Sequence, residues 1–193
     1  MSKERVRCHW CLQDSIYIDY HDHEWGQPTH DDQRLFEMLL LEGAQAGLSW
    51  IQILKRREAY RQAFDNFEAE KMARYGARKR QQLLNNPGIV RNRLKIKAFI
   101  TNAQKYCDLL DTGKSFDKYI WQFTGHRIVD KRPRALSDVP VTTPESDAMS
   151  KDLKKQGFKF VGSTICYAYM QACGMVNDHV ADCFVRKQQK RRK

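Results

Sequence analysis

The chain lacks any apolar run near the roughly 18 residues that a membrane-spanning helix needs, and its opening stretch, MSKERVRCHW, lacks the apolar heart of a secretory signal. A cytoplasmic protein with no membrane partner is expected. Proline and glycine are scarce, at 5 and 10 of 193 residues. Neither an internal repeat nor a low-complexity linker is present, which sets aside solenoid and disordered architectures. Strand-type alternation is missing too, so the pattern reads as all-α. Acid is under-represented: 34 Lys and Arg face 23 Asp and Glu, for a net charge of +11. Six of those basic residues (Arg186, Lys187, Lys190, Arg191, Arg192, Lys193) lie in the last eight positions, which hold no acid, so the body through Val185 is only +5. This balance favours a polyanionic partner. One helical domain over residues 1–185 with a disordered basic tail at 186–193 is expected, and nothing in the pattern marks a dimer seam, so a monomer is expected.

Helical signals fill the remainder. In DDQRLFEMLLLEGAQA, from Asp31, residues Leu35, Met38, Leu39 and Glu42 share one stripe, and Gly43 and Gly47 would permit a turn after it. Ser49 would cap the next helix, with Gln52 completing a capping-box spacing. Ile89, Ile96, Ile100, Ala103, Cys107 and Leu110 recur at helical spacing, giving a long amphipathic helix. Thr143-Pro144 opens another helix that Gly157 closes. A short hairpin at 158–164 then leads into an apolar helix ending at Gly174.

Three features could carry chemistry. Glu42 occupies a stripe position where leucine would be the default, so its carboxylate must be paired, hydrogen-bonded or neutralised. An ion pair with a neighbouring Arg or Lys is one reading. A ligand-reading acid is the other, favoured by Trp10, Tyr17, Tyr20, Trp25 and Trp50 close by in sequence, since rings around an acid suit a flat, electron-poor heterocycle. Of the six cysteines, read as thiols or metal ligands rather than disulfides, Cys8 and Cys11 lie near His21 and His23. His179 and Cys183 stand i, i+4 at the far end and would share a helix face, so a tetrahedral structural zinc could join the two ends. The spacing alone leaves open whether Cys8 pairs with Cys11 or with His21. Third, the hairpin could offer backbone N–H groups to a phosphate at the next helix start, with Lys154, Lys155 and Lys159 adding charge; an ordinary helix-helix turn is the alternative.

The motifs YHDHEWG at 20–26, LLLEGAQAGLSW at 39–50, GFKFVG at 157–162 and ICYAYMQACGMVNDHV at 165–180 resemble the bacterial 3-methyladenine DNA glycosylase I family, from about Arg7 to Cys183. The resemblance implies a helix-hairpin-helix glycosylase fold, and hydrolysis of the N-glycosidic bond of 3-methyladenine in double-stranded alkylated DNA to leave an abasic site. It implies a structural zinc held by Cys8, His21, His179 and Cys183, with Cys11 a bystander. It also implies that Glu42 and Tyr20 hydrogen-bond the extruded base, that Trp50 stacks on it, and that Trp10, Tyr17 and Trp25 complete the wall. Gly47 and Leu48 would be the wedge in the duplex, and Lys159, Gly162, Ser163 and Thr164 would hold phosphate.

Two departures stand out. Related glycosylases carry Leu-Pro-Gly-Val-Gly in the hairpin where this chain has Phe158-Lys159-Phe160-Val161-Gly162, so a looser approach to phosphate is expected. Asn177 occupies the place of their catalytic Asp. That loss suits a substrate that is already cationic and hence a good leaving group. Selection would then reside in binding, with an anionic Glu42 and the Trp50 face preferring the cation over neutral adenine. A zinc-stabilised DNA-binding module without catalysis and a small-molecule hydrolase are the rival readings.

Overall fold

The structure, a computed structural model, describes residues 5–191. It is predominantly helical. In chain order the helices are α1 (Ser15–His23), α2 (Asp32–Gln45), α3 (Trp50–Leu54), α4 (Arg57–Ala63), α5 (Ala69–Ala73), α6 (Ala77–Asn85), α7 (Arg93–Leu110), α8 (Phe116–Trp121), α9 (Pro144–Lys155), α10 (Ser163–Ala172) and α11 (Phe184–Arg191). The one exception to all-α among the described residues is a two-residue parallel ladder, β1 (Val129–Asp130) with β2 (Val176–Asn177), pairing Val129 with Val176 and Asp130 with Asn177. Two rungs are too short to leave an alternating pattern in sequence.

Helix α2 is the hub, packed against α3, α7, α8 and α10. Its N-terminus forms as the sequence dictates: the Asp31 carboxylate accepts from the Arg34 N–H at 2.7 Å. Beyond the expected stripe, Phe36, Leu40, Leu41 and Ala44 are also buried, so the helix is covered all round rather than on one face. Each of the larger side chains contributes about 1.5–3 kcal/mol of burial, and together they fix Glu42 in the interior. Asp32 reaches out of the same first turn to accept from the Phe116 and Asp117 N–H groups at 3.0 and 2.7 Å, capping α8.

Gly43 does not make a turn; it lies within α2. A Cβ there would sit 3.3 Å from Phe160 Cβ and Phe160 O, so its smallness lets the hairpin between α9 and α10 rest directly on α2. The turn falls instead after Ala46, at Gly47. Ser49 does occupy the N-cap position of α3, yet its side chain makes no capping bond and the Ser49–Gln52 box does not form.

Thr143 and Pro144 open α9 as expected, the Thr143 hydroxyl accepting from the Ser146 N–H at 3.3 Å. The expected boundary at 185/186 falls inside α11. Arg186 is 2% exposed and donates to His179 O at 2.6 Å, so this residue belongs to the body and not to a tail. Arg192 and Lys193 of the expected tail lie outside the described residues.

Candidate functional site

Trp10, Tyr17, Tyr20, Trp25, Glu42 and Trp50, picked out one by one from sequence, line a single cavity of about 470 Å³. A space of that size suits a small-molecule or nucleobase ligand. Its aromatic wall is built edge to face: Trp10 lies 5.0 Å from both Tyr17 and Trp25 at interplanar angles of 74° and 75°, and Tyr20 lies 5.6 Å from Trp50. Two polar atoms in this wall, Glu42 Oε2 and Trp50 Nε1, are buried without a hydrogen-bond partner among the described residues. The expected alternative for Glu42, an ion pair with Arg or Lys, is not formed among the described residues: burial alone acts on it, pushing its pKa up to about 8. With no cation paired to it among the described residues, the carboxyl favours its neutral form at pH 7, whereas sequence reasoning treats it as an anion. Burial first, and then Glu42, also push the Tyr20 phenol well up, so Tyr20 keeps its proton and remains a donor.

The cavity has walls that sequence reasoning did not reach. Asp178 lines it, 3% exposed, with Oδ2 accepting from the Tyr167 hydroxyl at 2.5 Å and from Gln171 Nε2 at 2.8 Å, while Oδ1 is buried and unpartnered among the described residues. The clue was its place beside His179 in VNDHV. Arg134 and Leu136, from a loop far from every quoted motif, form part of the rim. No periodicity marks that loop. Asn177 holds no acid to the cavity; its side-chain carbonyl accepts from the His179 N–H at 3.2 Å and from Arg186 Nη1 at 3.3 Å.

Next to this wall, Cys8, His21, His179 and Cys183 are all buried and offer ligand atoms within 4.8 Å of one another. Cys8 Sγ is 3.7 Å from His179 Nδ1, and Cys183 Sγ is 3.5 Å from both His179 Nδ1 and His21 Nε2. Two thiolates and two imidazoles at tetrahedral zinc distances stand roughly 3.3–3.8 Å apart; these three contacts lie in that range, so the donor set suits such an ion. The outer nitrogens are already committed, His21 Nδ1 to Asp22 Oδ1 at 2.8 Å and His179 Nε2 to the Trp25 carbonyl at 3.1 Å. That leaves each inner nitrogen's lone pair facing the cluster. Arg7 in turn holds Asp22 at 2.8 Å. Hydrogen bonds from Cys8, and then from the two imidazoles, draw the Cys183 thiol down toward the thiolate. Cys11 is outside the cluster, its thiol donating to Cys8 O at 3.0 Å. The two sites share a wall: the Trp25 ring is 4.6 Å from His179, and Trp10 is 5.5 Å from His21.

Gly47 and Leu48 are exposed and do not line the cavity. In the hairpin, Phe160 adopts φ +56, the left-handed conformation that a glycine takes without strain. For phenylalanine this costs about 1–2 kcal/mol. Asn102 offsets it by clamping Lys159 through both backbone atoms, at 2.7 and 3.0 Å, and the Ser150 hydroxyl donates to Val161 O at 2.7 Å. The turn survives the loss of glycine, but two polar groups of the residues expected to hold phosphate are occupied. The Lys159 N–H bonds Asn102, and the Ser163 hydroxyl donates to Asp147. The exposed Thr164 and half-buried Gly162 stand at the start of α10.

A profile of the methyladenine glycosylase family matches residues 10–187. The chain is 50% identical over 177 residues to DNA-3-methyladenine glycosylase 1 of Escherichia coli K12, covering 92% of this chain and 95% of that one. Its fold is similar to a crystal structure of a 3-methyladenine DNA glycosylase I at TM-score 0.91 and 49% identity, covering 93% and 98% of the two chains. A Tyr→Phe variant of a 3-methyladenine DNA glycosylase I, solved in complex with 3-methyladenine, is similar at TM-score 0.89 and 37% identity, covering 93% and 96%.

Proposed function

Because this chain belongs to the methyladenine glycosylase family, and is on that ground a glycosylase of DNA base-excision repair, we propose that it extrudes 3-methyladenine from alkylated double-stranded DNA and hydrolyses its N-glycosidic bond. The observation that carries this reading is a buried carboxyl oxygen, Glu42 Oε2, without a partner among the described residues, in a cavity walled by indole and phenol rings. Such a group is costly to bury, and a cationic base repays that cost in a way a neutral base does not.

The chemistry follows from the substrate's charge. Methylation at N3 makes the adenine cationic, so cleavage sends the bonding pair to N9 and releases a neutral base. Water adds at the sugar C1′ and loses a proton, leaving an abasic site. With so good a leaving group, little acid-base help is required, in keeping with Asn177 at the position where relatives carry an acid. Glu42 and Tyr20 hydrogen-bond the extruded ring, Trp50 stacks on it with about 0.5–2 kcal/mol of cation–π attraction, and Trp10, Tyr17 and Trp25 exclude water. Arrival of the cation favours ionised Glu42, so binding is accompanied by proton loss from this carboxyl at neutral pH. Gly47 and Leu48 wedge into the duplex beside the extruded nucleotide. Lys159, Gly162, Ser163 and Thr164 hold a phosphate, with Gly162 and Thr164 contributing through the start of α10 and Lys159 through its side chain. Cys8, His21, His179 and Cys183 hold zinc, which ties the chain's two ends together and takes no part in the hydrolysis.

The test is incubation with methylated duplex DNA. Released 3-methyladenine and an equal yield of abasic sites are expected. DNA binding with no base released would instead make the chain a non-catalytic DNA-binding module.

A further inference from the structure

Lys95 is a buried cation that none of the chemistry above uses. It lies in the first turn of α7, 7% exposed, and its ammonium donates to two backbone carbonyls at the end of α2, Ala44 O and Ala46 O, each at 2.7 Å. Burial alone acts on its pKa, lowering it; no neighbouring carboxylate raises it. A lysine is kept in such a place by the carbonyls it satisfies and by the negative end of the α2 dipole.

What those carbonyls join is the point. Glu42 lies two residues before Ala44, inside the base cavity, and Gly47 follows Ala46 directly. The Leu48 N–H closes the same turn onto Gln45 O at 2.6 Å. Ala44, Gln45 and Ala46 therefore have all three carbonyls tied, two of them to Lys95. Past this anchor the chain turns left-handed at Gly47, φ +77, where an added Cβ would meet nothing within 4 Å, and Leu48 is 37% exposed. The loop tip reaches the surface, with Leu48 still mostly covered, from a base that is fixed. Packing in the core already holds α2, so a second clamp at its last turn acts mainly on the direction of the tip.

We propose that Lys95 is a positioning residue for the Gly47–Leu48 wedge: it holds the end of α2 so that the tip enters the duplex in register with the cavity that Glu42 occupies. This rests on the wedge reading above. A preorganised tip avoids ordering a loop at the moment of binding, and that advantage matters for extruding a base from a duplex but not for receiving a base already free.

The experiment compares Lys95→Met with Leu48→Ala and the parent in two assays: excision of 3-methyladenine from methylated duplex DNA, and calorimetric affinity for free 3-methyladenine. Lys95→Met is expected to lower kcat/KM on duplex at least tenfold while leaving free-base affinity within twofold. Should Lys95→Met fold poorly, Lys95→Arg, whose longer side chain displaces the same carbonyls, is expected to give the same split. Equal losses in both assays would reduce Lys95 to a support of the general fold, and no loss in either would remove any role; both overturn the inference. If Leu48→Ala leaves duplex excision unchanged, it is the wedge reading that fails.

Discussion

The protein holds two buried polar constellations side by side, sharing the Trp10 and Trp25 rings, and they are finished in opposite ways. In the Cys8–His21–His179–Cys183 cluster, the outer nitrogens of both imidazoles are committed to Asp22 and to the Trp25 carbonyl, and all four ligand atoms lie within 4.8 Å of one another. In the cavity, Glu42 Oε2 and Trp50 Nε1 are held in place by packing, with no partner among the described residues. A closed polar site stabilises the fold, whereas an open one is stabilised by what enters it. On the function proposed above, the difference separates a structural centre from a reading centre, wherever either one falls in the sequence.

The sharpest way to break this contrast is at the cluster. Cys183→Ser, or treatment of the parent with a strong chelator, is expected to release zinc and cost roughly 3–5 kcal/mol, the scale for opening a cross-link across a loop of this length. Metal analysis paired with thermal unfolding checks it. A metal-free protein with an unchanged Tm would show that the cluster is not closing the fold.

At the cavity the sign reverses, because removing the ionisable group should stabilise. Folded Glu42 keeps its proton to about pH 8, against an ordinary value of 4.5 for an unburied carboxyl. Between those values the unfolded chain has lost a proton that the folded chain retains, so the contribution is neutral below pH 4.5 and becomes increasingly unfavourable up to about pH 8. Glu42→Gln should match the parent near pH 4 and exceed it by on the order of 3 kcal/mol at pH 7. Denaturant melts across that range decide it, and parallel curves would mean that Glu42 carries no ionisation penalty.

The smallest effect belongs to the basic C-terminal segment. Arg186 is built into the body, so a deletion that tests DNA binding starts at Lys187. Removing residues 187–193 should flatten the salt dependence of DNA binding, by about 0.9 in log–log slope for each phosphate that is no longer neutralised. An identical slope would assign the segment no part in binding.

Much of this was legible beforehand, for identifiable reasons. Glu42 stood out because an acid on an apolar stripe breaks a strong pattern, and the aromatic residues of the wall lie within a few dozen positions of it. The helix start marked by Thr143-Pro144 obeys local chemistry and forms as expected. What escaped is long-range. Gly43 looks like a helix breaker until Phe160 is seen resting on it, and the capping box at Ser49 is locally plausible but does not form. Lys95 and Asn102 act through partners far away in the chain, and no periodicity announces those. The ionisation of Glu42 escaped for the same reason, since it depends on how completely the surrounding helices exclude water.

The most direct test of the reading centre is a calorimetric titration of free 3-methyladenine into the parent and into Glu42→Gln, alongside a crystal soaked with the base. The base should lie in the cavity with a ring nitrogen in hydrogen-bond reach of Glu42, and the variant should bind about 10- to 100-fold more weakly while folding normally. Equal affinities, or a base seated away from Glu42 and Trp50, would contradict the account.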